Sequence, residues 1–80
     1  MTQQVSERIA LVAPSAESAA VLRHDLIEWL TKRGHRVLCL TPPGPGRYIR
    51  SLRGIGAQHR IVDPPQSALR MFADWQTINN

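Results

Sequence analysis

The chain predicts an α/β fold built on a parallel sheet, and three observations lead there. Two short apolar runs, Arg8 to Ala13 and Val37 to Leu40, flank an amphipathic stretch closed by Gly34-His35, as a β-α-β unit requires. The second run ends at Thr41-Pro42-Pro43-Gly44-Pro45-Gly46, a break at the strand end where a parallel sheet keeps its ligand side. A third strand-like segment, Gln58 to Val62, is stopped by Asp63-Pro64-Pro65, since proline lacks an amide donor and biases its predecessor away from the helical region.

The first helix is expected from Ala16 or Ser18 to Arg33, with Ser15 or Ser18 as N-cap and Gly34 as its stop. Ala19, Leu22, Leu26, Trp29 and Leu30 recur at helical spacing and are expected to face the sheet, while Arg23, Asp25, Glu28 and Lys32 fall mostly off that face. A second helix is expected over Arg47 to Arg53. There Tyr48, Ile49, Leu52 and Ile55 gather on one side and Arg47, Arg50 and Arg53 form a basic face nearly opposite, with Gly54 and Gly56 ending the helix. A last helix runs from Ser67 with Leu69, Phe72, Trp75 and Ile78 in register.

The order is therefore β-α-β-α-β-α, and right-handed crossovers give a parallel sheet of strand order 3-2-1, with two helices on one face and the third on the other. This is a three-layer Rossmann-like half-domain. Its third helix has no fourth strand to deliver beside the first, so the chain reads as a truncated fragment. Exposed Leu69, Phe72 and Trp75 and an open sheet edge are then expected to leave it marginal or self-associating.

Eighty residues suit one small domain. A hydrophobic share of 42% with 20% charged residues excludes disorder, and no apolar run approaches the ~20 residues of a membrane span. Met1 to Glu7 has neither the basic start nor the apolar core of a signal peptide, so a cytoplasmic location is expected, peripheral on the inner face of the membrane if the basic face binds lipid. Cys39 lies inside a predicted strand and reads as a core residue. The net charge of +4 is unevenly spread: between Trp29 and Val62 there is no acid, whereas Lys32, Arg33, Arg36, Arg47, Arg50, Arg53 and Arg60 all fall there. Such a face is either simply solvated or drawn to an anionic leaflet, a phosphorylated ligand or a nucleic acid. Nucleic acid is the weaker partner, because the basic window holds only Tyr48 for base stacking.

The loop Ala13 to Ser18 contains no glycine, which argues against an NAD or FAD site, and Gly-Lys-Ser/Thr is absent, which excludes a Walker loop. Asp63 stands where a receiver domain carries its phosphoacceptor, yet Ala13 and Pro14 occupy the place of the acids that would hold Mg²⁺, leaving at most a degenerate receiver. His35 reads as a turn or packing residue, and His24 and His59 have no suitably spaced partner for a metal. Metal and catalytic residues are left unassigned.

Arg8 to Pro14, Val21-Leu22-Arg23 leading into Leu26-Ile27 and Leu30, and Lys32-Arg33-Gly34-His35-Arg36-Val37 resemble the N-terminal half-domain of family-4-type glycosyltransferases with the GT-B fold. Ile49 to Ala57 and Pro65 to Ile78 resemble that family's later helices in the same order. The resemblance implies sugar transfer from a nucleotide-sugar donor to a lipid-linked or cell-envelope acceptor without an essential metal. It implies no cofactor in this chain, a donor bound mainly by a missing C-terminal domain, and an acceptor met by this half through Ser15, Ser18 and Arg23. The glycine-free first loop departs from many relatives and weakens a direct diphosphate contact there. The rival reading is a stand-alone α/β binding module using its basic face on a phosphorylated ligand or nucleic acid.

Overall fold

The computed structural model describes residues 6–78, without the side chains of Pro65, Thr77 and Ile78. The start of the leader reading, Met1 to Val5, and the Ile78 register position lie outside it. In chain order the elements are β1 (Arg8–Val12), a π-helical turn (Ser18–Leu22), α1 (His24–Lys32), β2 (Arg36–Thr41), α2 (Gly46–Gly54), β3 (Gln58–Ile61), a 3-10 turn (Pro65–Ser67) and α3 (Ala68–Ile78). The three strands are parallel in the order β1-β2-β3, with Ile9 beside Val37 and Cys39 beside His59.

The alternation of side chains across β2 builds two cores. Val37 and Cys39 pack with Ile27 and Leu30 of α1 and Leu52 of α2, whereas Leu38 and Leu40 pack with Val62 and with Ala68 and Trp75 of α3. The apolar run Val37 to Leu40 is buried throughout because it is covered on both faces. Burial pushes the Cys39 thiol up to about 11, so it stays protonated and serves as core.

Gly34 and Gly56 close α1 and α2 in the same way. Each has positive φ, +87° and +98°. Gly34 N donates to Thr31 O and His35 N to Leu30 O, while Gly56 N donates to Arg53 O and Ala57 N to Leu52 O. These are paired Schellman closures, which satisfy the last carbonyls of a helix. Thr31 links the two ends, since its hydroxyl lies 3.0 Å from Glu28 O and 2.9 Å from Ile55 O.

Three expectations are corrected. The first helix is not continuous: a π-helical turn precedes a bend at Arg23, and α1 starts at His24. Its sheet-facing residues are Ala19, Ala20, Ile27 and Leu30, while Leu22, Leu26 and Trp29 are 73%, 44% and 52% exposed. An apolar helical arc wider than one packing contact does not reveal which part meets the sheet, and the small alanines allow the closest approach. Finally, Trp75 is buried rather than exposed, because α3 lies over Leu38 and Leu40 and its indole Nε1 donates to Gln58 Oε1 at 3.1 Å.

Candidate functional site

The carboxyl ends of the strands carry the loops after β1, β2 and β3. Ser15 Oγ accepts a hydrogen bond from Ser18 N at 2.9 Å, so Ser15 caps the turn that opens here. Ser15 and Ser18 border a 270 Å³ hollow with Glu17, Val21 and Leu22. Ser18 also lines a 230 Å³ groove with Arg23, between β1 (Leu11, Val12) and α1 (Leu26). Of the three residues expected to meet an acceptor, Ser18 and Arg23 therefore share one groove, and Ser15 acts mainly on the backbone.

Arg47, Arg50 and Arg53 are all exposed on α2, opposite buried Leu52 and half-buried Tyr48, Ile49 and Ile55. They line neither hollow. The Arg47 guanidinium sits 4.7 Å from the Tyr48 ring centroid and 3.1 Å from its hydroxyl. That hydroxyl, and more weakly Glu17, pushes its pKa up.

A buried polar pair at the ends of β2 and β3 was not legible in the sequence. Thr41 is fully buried and His59 nearly so, with Thr41 Oγ1 and His59 Nε2 2.8 Å apart; Pro42 O lies 3.0 Å from the same hydroxyl. The hydroxyl can donate to Pro42 O while His59 Nε2–H donates to it. Burial first, and the nearby Arg53 charge second, lower the His59 pKa below 6.5. The register sets His59 beside Cys39 and Ile61 beside Thr41, so His59 reaches Thr41 diagonally across the two strands, and no local spacing signals it. His35 accepts from Glu7 N at 3.1 Å through Nδ1, a turn contact.

His24, Asp25 and Glu28 bring ligand atoms within 4.8 Å of one another, so His24 does have acidic neighbours one and four residues on. Asp25 is fully exposed and Glu28 pairs with Lys32 at 4.0 Å, an arrangement ordinary for a charged helix surface. A larger hollow of 420 Å³ lies on the other sheet face, lined by Ala10, Val12, Leu40, Gln66, Leu69 and Phe72. It is apolar except for Gln66. Among the described residues no helix is long and apolar enough to cross a membrane. No protein-family model, curated protein or solved structure matches the chain.

The His59 pair sets a pH dependence. A histidine whose folded pKa is depressed binds more protons when unfolded, so its contribution is present above pH ~6.5 and is lost as pH falls toward its folded pKa. The melting temperature is expected to fall as the pH drops below ~6.5, and His59→Gln is expected to flatten that slope. An unchanged slope in the variant would assign the pH effect elsewhere.

Proposed function

We propose that the chain is the acceptor-side half of a Rossmann-like domain, of strand order 3-2-1, belonging to a GT-B glycosyltransferase of the family-4 type. The observation that carries this reading is the order of motifs along a β-α-β-α-β-α chain, Gly34-His35-Arg36-Val37 at its centre, combined with a groove at the sheet's carboxyl edge holding Ser18 and Arg23. In this reading Arg23 offers charge and donors to a glycan or its phosphate link, Ser18 adds a hydroxyl, and a second domain binds the nucleotide sugar. Catalysis of transfer requires both substrates in near-attack geometry, so this half by itself turns over no donor.

Two measurements test it. Amide shifts under a lipid-linked or envelope glycan are expected around Val12, Ser18 and Arg23, with no nucleoside diphosphate released from a panel of nucleotide sugars. Turnover by the chain alone, or shifts confined to α2 with an oligonucleotide, would favour the stand-alone module.

The basic face suits the membrane side of the same reading. Each arginine near an anionic leaflet contributes ~1 kcal/mol, so binding to vesicles containing anionic lipid is expected to be weak and lost at high salt. Replacing Arg47, Arg50 and Arg53 by glutamine is expected to abolish the difference between anionic and neutral vesicles in co-sedimentation. Equal binding by the native chain to both vesicle types would remove membrane recruitment.

A further inference from the structure

His59 is a nearly buried imidazole that the Ser18 and Arg23 groove leaves unused. It stands beside Cys39 in the ladder and so faces the core in which Cys39 packs with Leu52 of α2. Among the described residues its ring has one hydrogen-bond partner, Thr41 Oγ1 at 2.8 Å. With Nε2–H given to that hydroxyl, a second proton would go to Nδ1, for which no described residue supplies an acceptor.

Nothing around the ring offsets a positive charge. From β2 it meets the Cys39 thiol, which stays protonated, and the Thr41 hydroxyl. From α2 it meets the like charge of Arg53, while the Tyr48 hydroxyl is engaged by Arg47. On β3 itself Gln58 and Arg60 turn to the opposite face, toward Trp75 and Asp74 of α3, and Asp63 beyond the strand is exposed. The acids of α1 are paired elsewhere, Asp25 with His24 and Glu28 with Lys32.

The helix above this ring is also the least firmly seated layer. α2 has no side-chain cap at Pro45, one wholly buried side chain in Leu52, and one side-chain clip at its end, from Thr31 to Ile55 O. The other core, Leu38, Leu40 and Val62 with Ala68 and Trp75 of α3, contains no residue of α2. Such a layer can open while the rest stays folded.

We propose that His59 is an acid-sensitive latch for α2: the neutral ring lets the helix seat on the sheet, and the protonated ring drives α2 off β3 while β1, β2, β3 and α3 stay folded. Opening brings water to Nδ1 and separates the imidazolium from Arg53, so the open form binds the proton more readily than the closed one. By linkage, falling pH then favours the open form. Acid therefore frees the helix that carries Arg47, Arg50 and Arg53 and uncovers Cys39, a local event distinct from loss of the whole fold. This proposal does not depend on the transferase reading.

The test is residue-resolved hydrogen exchange of the native chain at about pH 7.5 and about pH 5, on either side of the ordinary histidine value, with each rate divided by that of an unstructured chain at the same pH. The Ser51, Leu52 and Arg53 amides are expected to lose at least ~5-fold protection in acid, while Leu38, Cys39 and Leu40 keep theirs. His59→Gln is expected to abolish the loss and Arg53→Gln to shrink it. An NMR titration of the His59 ring in the native chain is expected to share its midpoint with the loss of α2 protection, a readout that needs no variant. Equal loss in β2 and α2, a loss that survives in folded His59→Gln, separate midpoints for ring and helix, or an α2 already unprotected at the higher pH would each overturn the proposal.

Discussion

Leu52→Ala is expected to cost about 2–5 kcal/mol, the range for removing a fully buried leucine. Leu52 is the one wholly buried side chain of α2, and it joins that helix to Ile27, Val37 and Cys39. Tyr48, Ile49 and Ile55 are only half-buried and hold α2 less firmly. In a domain of this size each kcal/mol moves the melting temperature by ~4–8 °C, so a fall of at least ~10 °C is expected by circular dichroism. Ile49→Ala serves as comparison. Because α2 carries Arg47, Arg50 and Arg53, the same variant should lose vesicle binding at temperatures where the native chain retains it. A loss of stability no greater than that of Ile49→Ala would show that α2 is held by something other than Leu52.

Gly56→Ala is expected to be more damaging than Gly34→Ala, although both glycines close a helix with positive φ. The left-handed conformation alone costs a non-glycine residue ~1–2 kcal/mol, and at Gly34 a Cβ would meet nothing within 4 Å. At Gly56 it would come within 3.2 Å of Thr31 Cβ and 3.3 Å of its Cγ2. Thr31 cannot move away freely, because its hydroxyl binds Glu28 O and Ile55 O and so clips the end of α1 to the turn after α2. Losing that link adds ~1 kcal/mol, for a total of about 2–3 kcal/mol at Gly56 against ~1–2 kcal/mol at Gly34. Urea denaturation of both variants measures the gap. Equal costs would mean that Thr31 gives way without losing its contacts.

Several features needed only local chemistry. The apolar run Val37 to Leu40 marked a strand covered on both faces, Gly34 and Gly56 marked helix ends, and the spacing of Arg47, Arg50 and Arg53 placed them on one side of α2. Each follows from a period or a backbone preference within a few residues. The exposed Leu22, Leu26 and Trp29 were harder, because their spacing is as good a core signal as that of Ile27 and Leu30. Only the seating of Ala19 and Ala20 against the sheet decides between the two arcs.

By itself, then, the sequence determined the alternation of strands and helices, the two glycine closures and the placement of three arginines opposite Leu52. Tertiary structure alone decided the burial of Trp75 against Gln58, the pairing of Thr41 with His59, and the groove shared by Ser18 and Arg23. The division has one physical cause. Backbone preferences and hydrophobic periods act over a few residues and are written locally, whereas strand register and helix rotation join residues far apart in the chain and emerge only when the layers pack.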